Sequence, residues 1–224
     1  MTEERRDEVE VIEPAPAAVA AAWVWDDARN VYRNTLTRRT VTARQLVTLR
    51  NYYIEAATSE MDRLTRRLLN YDIDLQQWVL EMRRQTKTNY INQYMLARGG
   101  RQNMVQSDWG RLGGLLKRQY EYIQNFARDI DTGRASGGQI RTRARMYVSG
   151  STQAFERAKA ESNGLPRLPQ YPGDGQTQCR SNCQCGLHYQ DEGDHWNVYW
   201  RLGVAEHCPD CVRLAEEWKP LTVP

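Results

Sequence analysis

The sequence predicts a mainly α-helical fold: an antiparallel bundle or hairpin of long helices, followed by a small cysteine-rich module built on a β-hairpin. Two observations predict it. Apolar residues recur at steps of three and four through most of residues 42–164, as they do on the buried face of a helix. All five cysteines lie within residues 179–211, beyond a stretch that is rich in Pro and Gly.

Composition divides the 224 residues into four segments. Residues 1–22 hold a charge run followed by prolines and alanines, and we expect a disordered or extended arm there. Residues 23–164 carry the helical pattern. Residues 165–178 contain three prolines and two glycines, which stop a helix and indicate a linker. Residues 179–224 form the cysteine-rich module.

The helical segment predicts four helices of about 20–28 residues, and their short connections predict antiparallel neighbours. The second helix ends at Gly99 and Gly100, the third runs from about Ser107 to Gly133, and the fourth ends before Gly164. The first, second and fourth helices begin with the spacing of a capping box: Thr42 with Gln45, Asp74 with Gln77, and Ser136 with Gln139.

Three glycines, Gly110, Gly113 and Gly114, fall inside the third predicted helix. Each costs about 1 kcal/mol relative to alanine in a helix interior. The sequence leaves two explanations open: the glycines permit a neighbouring helix to approach closely, or they mark a bend.

The formal net charge of +3 conceals a strong segregation of charge. Residues 1–13 and 171–224 each carry a net charge of −4, so residues 14–170 carry +11, from 25 basic and 14 acidic residues. A basic body can lie against nucleic acid or an acidic protein surface, although solvated Arg-rich helix faces would give the same composition. No stretch approaches the roughly 18 apolar residues of a membrane span, and the acidic N-terminus is unlike a secretory signal. We therefore expect a soluble protein made in the cytoplasm, with no membrane partner.

The cysteines form two groups with metal-ligand spacing: Cys179, Cys183 and Cys185, and then Cys208 and Cys211. Two thiolates on one tight turn can reach the same ion, and two such turns complete a tetrahedral site. The segment between the groups is long enough for a hairpin that returns the chain. In a reducing compartment, an odd number of cysteines favours Zn²⁺ over disulfides. Cys208 and Cys211 are the firmest predicted ligands, and two of the other three would complete the set.

Other interpretations of the cysteines stay open. Disulfide bonds would fit a protein that matures outside a reducing cell, and Cys208-Pro-Asp-Cys211 has the spacing of a redox-active pair, although no βαβ pattern surrounds it. Five unrelated buried cysteines are the remaining alternative. His207 or His188 could replace one thiolate of a metal site. A closed site of four ligands leaves no position for water or substrate, so we expect the zinc to be structural.

No catalytic constellation is recognisable in the sequence. All three histidines lie in the cysteine-rich module, far along the chain from any serine of the helical segment. The Gly173-Asp-Gly175 turn lacks the later glycine and the Lys-Ser/Thr pair of a phosphate-binding loop. We therefore predict that the protein is not an enzyme, and we assign no catalytic or cofactor-binding residue.

Several stretches resemble the C-terminal ends of head-morphogenesis, or minor head, proteins of tailed bacteriophages. They are YPGDGQTQCRSNCQC at residues 171–185, the aromatic strand at 196–200 and AEHCPDC at 205–211. Many members of that family end in an Asn-Cys-Arg-Cys-like element, matched here by residues 182–185 with Gln184 in place of Arg. The helical segment is similar as well, at residues 96–100, 108–110 and 144–147, so the resemblance spans most of residues 75–220.

The resemblance implies a low-copy virion protein in the head interior or at the portal vertex, present in the host cytoplasm during assembly. It implies a role in capsid assembly or genome delivery, with the portal or major capsid protein as partner. Contact with packaged DNA and homo-oligomers in the particle would fit that role. The residues alone also support an alternative, a nucleic-acid-binding zinc protein whose basic helical body contacts phosphates.

Overall fold

The computed structural model describes residues 16–165, 169–180 and 183–223. It confirms a mainly helical fold with a small antiparallel β-module near the C-terminus. The first fifteen residues of the predicted arm lie outside the described residues. The end of that arm is helical, because Pro16–Ala21 form α1, which packs on the long helices of the body.

The long helices begin and end close to their predicted positions. Asp74 caps its helix as predicted, since the N–H of Gln77 donates to its Oδ1 at 2.7 Å, and the N–H of Ser136 donates to Oε1 of Gln139 at 2.8 Å. A single 3₁₀ turn, Ala43–Gln45, leads into the first long helix. The long helices of the body are α2 Leu46–Leu69, α3 Leu75–Ala97, α4 Gln106–Asp131, α5 Gly137–Ser149 and α6 Ser151–Ser162. Helix α3 lies at the centre and packs against the other four.

The fourth predicted helix is interrupted at Gly150, which separates α5 from α6. A Cβ at Gly150 would lie only 2.7 Å from the hydroxyl of Tyr90, a side chain that is 1% exposed. The buried tyrosine of α3 therefore occupies the space that a side chain at this junction would need. Both halves keep the predicted apolar face toward the body.

The prediction that the helical pattern begins at residue 23 is wrong, because residues 23–41 form a three-stranded antiparallel sheet. In this sheet β1 Trp23–Asp26 pairs with β2 Val31–Asn34, which pairs with β3 Thr40–Val41. Strands this short bury little surface alone, so the sheet depends on the helices beneath it.

Hydrogen bonds tie this sheet to the helical body. The indole Nε1 of Trp23 donates to the hydroxyl of Tyr53 at 2.7 Å, and the N–H of Trp25 donates to the carbonyl of Gly99 at 2.8 Å. Asn34 is fully buried and its Oδ1 accepts from two N–H groups of the following turn. Buried polar groups are thus satisfied where the sheet meets the body.

Two apolar clusters fill the body. The first lies between α2, α3, α4 and α5, and it includes Met61, Trp78, Met82, Ile123, Phe126 and Val148. The second joins α1 and the sheet to α2, α3, α4 and α6, and it includes Trp23, Tyr32, Tyr90, Leu112 and Phe155. No helix within the described residues is long and apolar enough to cross a bilayer.

A buried carboxylate fixes the meeting point of α3, α4 and α6. Asp108 is 1% exposed, and its two oxygens accept hydrogen bonds from the Tyr94 hydroxyl, Arg98 Nε and the Val105 N–H, each at 3.0 Å. The same tyrosine hydroxyl lies 2.9 Å from Oε2 of Glu161 on α6. Because the charged oxygens are paired and hydrogen-bonded, this network can lie inside the body.

Helix α4 runs as one helix through its three interior glycines. A Cβ built at Gly110, Gly113 or Gly114 would meet no atom within 4 Å. Of the two explanations that the sequence left open, close approach of a neighbouring helix does not apply within the described residues.

The C-terminal module consists of a sheet and one short helix. The predicted hairpin is present as β4 Gly186–Asp191 and β5 Trp196–Arg201, and β6 Leu221–Val223 adds a third antiparallel strand. Helix α7, Pro209–Glu217, packs on β5. The predicted linker is not a free tether in its described part, since Leu165, Tyr171 and Thr177 are all buried.

Candidate metal centre

The two groups of cysteines lie in the segments that flank the β4–β5 hairpin, at the end where Gly186 pairs with Arg201. Cys179 and Cys183 lie in the segment that leads into β4, and Cys208 and Cys211 lie at the start of α7. Cys208 is the N-cap residue of α7, and Pro209 occupies the first helical position, where its missing N–H costs nothing. The hairpin between the groups returns the chain, as predicted.

Four sulfur atoms converge at this point. Sγ of Cys211 lies 3.6 Å from Sγ of Cys179 and 3.5 Å from that of Cys183. Sγ of Cys208 lies 3.5 Å from that of Cys179. Tetrahedral zinc with Zn–S bonds of about 2.3 Å places its sulfurs about 3.8 Å apart. These three separations are close to that edge length, although Sγ of Cys208 is not within 4.8 Å of all three of the other sulfurs.

Three of these residues form a cluster that can hold a metal ion, since the sulfurs of Cys179, Cys183 and Cys211 all lie within 4.8 Å of one another. Cys211 is buried and the other two are half-buried. All five cysteines are free thiols. Sulfurs 3.5–3.6 Å apart are far from the about 2.05 Å of a disulfide bond.

The thiols of the cluster differ in acidity. For Cys208, burial favours the neutral thiol, but hydrogen bonds led by the backbone N–H of Cys211 outweigh it and lower the pKa to about 7. Burial raises the pKa of Cys183 to about 12, and burial together with the neighbouring thiols raises the pKa of Cys211 well above its ordinary value. Several crowded thiolates repel one another, so full deprotonation requires a cation among them.

Neighbouring groups hold the two cysteine loops together. The Thr177 hydroxyl, which is buried, lies 3.2 Å from Sγ of Cys179. The N–H of Gln178 donates to Oδ2 of Asp210 at 2.9 Å, which joins the first loop to the first turn of α7. Such outer contacts orient metal ligands. Sequence reasoning missed these residues, because their role depends on loops that meet only in the fold.

Gly203 forms a further close contact at the edge of the site. A Cβ at this position would lie 2.3 Å from the carbonyl oxygen of Gln184, which is a backbone atom between Cys183 and Cys185. The loop after β5 therefore lies directly against the chain that carries two of the cysteines. Only a residue without a side chain fits here.

The remaining predicted ligands lie outside the thiol cluster. Cys185 stands apart from the three clustered sulfurs, and its Sγ lies 4.0 Å from Nδ1 of His207. His188 lies on β4, where its ring is 5.9 Å from the ring of Tyr199. The structure therefore brings Cys179, Cys183 and Cys211 into one cluster, and Cys208 joins it through its contact with Cys179. Cys185 and the two histidines lie outside the cluster.

The module is joined to the body through α6. Its apolar core includes Ala160 and Leu165 together with Trp200, Leu214 and Trp218. Because residues of α6 and of the module belong to the same apolar cluster, the module is continuous with the helical body.

A polar contact lies beside that shared core. Nζ of Lys159 lies 5.5 Å from the ring centres of both Tyr189 and Trp196, within cation–π range. One turn earlier, the buried carboxylate of Glu156 forms an ion pair with Arg50 of α2. Burial lowers the pKa of Lys159, and the carboxylates of Glu156 and Asp191 oppose that shift.

The fold and site together define a mainly helical protein with a docked cysteine-rich β-module whose thiol cluster can bind a metal ion. Comparisons with family models, with curated proteins and with solved structures found no match to this chain.

Proposed function

We propose that this chain is a structural or assembly protein of a phage head, a minor head (head-morphogenesis) protein near the portal vertex. Its role would be in capsid assembly or genome delivery. One observation carries the proposal: the segments on which the resemblance rests converge in space. Sγ of Cys183, from the Asn-Cys-Gln-Cys element, lies 3.5 Å from Sγ of Cys211, from the His-Cys-Pro-Asp-Cys element. Separate motif segments that together form one structural site are expected to meet in space.

The metal in this proposal is a structural Zn²⁺ held by Cys179, Cys183, Cys208 and Cys211. Four thiolates suit a borderline-soft cation and leave no open position for water or substrate. The module has one short helix and three short strands, and so small a core gains folding free energy from a bound metal. The zinc would therefore serve as a clamp rather than as a reagent.

Elemental analysis and native mass spectrometry test the metal. We expect one zinc per chain in the purified protein, and its loss in Cys211→Ser. Cys185→Ser is the matched control, because it removes a thiol outside the cluster, and it should retain the metal. A metal-free protein that unfolds at the same temperature as the native preparation would contradict the clamp.

Co-purification tests the assembly role. The chain is expressed with the portal protein and the major capsid protein of the same phage, each tagged in turn. We expect it to be retained with at least one of them, and to be lost from the complex after chelation of the zinc. A monomer that binds neither protein would refute the assignment to the head while leaving the metal site intact.

A further inference from the structure

An open groove runs between α3 and α4 on the surface of the body. Three cations line it, Arg83 and Lys87 from α3 and Lys117 from α4, against one carboxylate, Glu121. Both lysines are exposed. The stretch of α4 that forms one wall, from Gly113 to Gln124, is about 16 Å long at 1.5 Å per residue. The groove is therefore an open, positively charged part of the surface, several side chains in length.

One of the cations is oriented by contacts within the groove. Nη2 of Arg83 donates to Oε1 of Gln124 at 2.9 Å, and its guanidinium lies 5.6 Å from the centre of the Tyr120 ring. Its Nε is buried without a hydrogen-bond partner. A guanidinium fixed in this way loses little side-chain entropy when an anion binds.

Packing against the described residues does not require the glycine in the wall of the groove. Gly113 lies in the interior of α4, where glycine costs about 1 kcal/mol relative to alanine. It is exposed, and a Cβ there would meet no atom within 4 Å. Its effect is to leave the wall open, so that an extended chain can approach the backbone of α4.

We propose that the groove between α3 and α4 binds the phosphate backbone of single-stranded nucleic acid. A cationic groove lined by aromatic side chains is the usual arrangement for binding a single strand without sequence preference. Tyr120 supplies an aromatic ring in the lining, with Arg83 over one of its faces, and Lys87 and Lys117 supply exposed charges for the phosphates. An acidic protein segment would need only the cations, so the aromatic lining and the open wall favour nucleic acid. The inference is independent of the assignment to a phage head.

Fluorescence anisotropy with a labelled 20-nucleotide oligo(dT) tests it on the full chain. For single strands, each phosphate contact contributes about 0.7 to the slope of log K against log salt concentration. The double variant Lys87→Gln/Lys117→Gln should therefore reduce that slope by about 1.4, which is about a 25-fold weaker affinity at 0.1 M salt. Arg63→Gln/Arg66→Gln removes the same charge from exposed positions of α2 and is the matched control.

A second variant separates shape from charge. Gly113→Leu keeps every charge but fills the open wall, and we expect it to weaken binding while the thermal midpoint stays the same or rises. Poly-glutamate in place of the oligonucleotide tests the alternative occupant. Equal losses in the groove and control variants would overturn the proposal, as would a protein that does not bind oligo(dT). A groove variant that no longer binds poly-glutamate but still binds oligo(dT) would also overturn the proposal.

Discussion

Replacing Gly203 by alanine should damage the cysteine loops through the backbone. The new Cβ would lie 2.3 Å from the carbonyl oxygen of Gln184 and 2.8 Å from its carbonyl carbon. Ordinary contacts begin near 3.4 Å, so the chain between Cys183 and Cys185 must retreat by about 1 Å. Overpacking of this kind costs about 1–3 kcal/mol. For a chain of this size, each kcal/mol lowers the thermal midpoint by about 2–4 °C.

Gly186→Ala is the matched control, because a Cβ there meets no atom within 4 Å although the residue lies at the start of β4 in the same module. Thermal unfolding is followed by tryptophan fluorescence, to which the edge-to-face pair of Trp200 and Trp218 contributes. We expect Gly203→Ala to lower the midpoint by about 2–12 °C and to weaken metal retention against a chelator. Equal midpoints for the two variants would refute the packing argument for the loop.

Three further predictions concern the body. Asp108→Asn leaves buried donors facing a neutral amide, and we expect a loss of about 3–5 kcal/mol in the free energy of unfolding, measured with urea. Hydrogen bonds from Arg145 lower the pKa of Asp62 below its usual 3.8. The ion pair therefore contributes up to about 1 kcal/mol to the free energy of unfolding at neutral pH, and this contribution is lost as the pH falls through the lowered pKa. The difference in unfolding free energy between wild type and Asp62→Asn should vanish at that pH, and a difference that persists there contradicts the assignment. Gly150→Ala should lower the free energy of unfolding by about 1–3 kcal/mol. Because the new Cβ meets the Tyr90 hydroxyl, adding Tyr90→Phe should recover part of that loss in a double-mutant cycle.

The helices of the body could be predicted from the sequence because their signals are local. The cap at Asp74 needs only a carboxylate and a glutamine three residues later, and the apolar steps of three and four fix the buried face. The interruption at Gly150 could not be predicted in this way. The need for a glycine at this junction comes from the hydroxyl of Tyr90, which lies sixty residues earlier in the chain.

The small N-terminal sheet was missed for a physical reason. Its strands have four, four and two residues, too few for an alternating pattern to stand out. Its stability comes from contacts with distant residues, such as the hydrogen bond from Trp23 to Tyr53. The local signal in the sequence was Asn30, a residue type that tolerates the left-handed conformation and has a φ of 53° in the turn between β1 and β2.

For the candidate site, spacing alone identified the five thiols but could not choose among the first three. Cys183 and Cys185 are two residues apart, and which sulfur faces Cys211 depends on how the segment enters β4. The close approach of Gly203 to Gln184 fixes that entry. No sequence motif encodes a contact between two such distant backbone segments.

The position of the module explains how a metal in it can matter to the whole protein. The sulfur cluster and the side chains of Ala160 and Leu165 belong to the same apolar core, so the module and the end of α6 bury one another. Helix α6 in turn packs on α3, the central helix of the body, and carries the Glu156 carboxylate that pairs with α2. A ligand that binds only the folded state stabilises every part of a structure that unfolds with it.

We therefore expect metal removal to lower the midpoint of helix melting, measured by circular dichroism at 222 nm, and not only the tryptophan signal of the module. Cys211→Ser should reproduce the effect, and Cys185→Ser should not. If the helices of the metal-free protein melt at the native temperature while the tryptophan transition moves, then the core shared with α6 does not couple the two parts. The clamp would then act on the module alone.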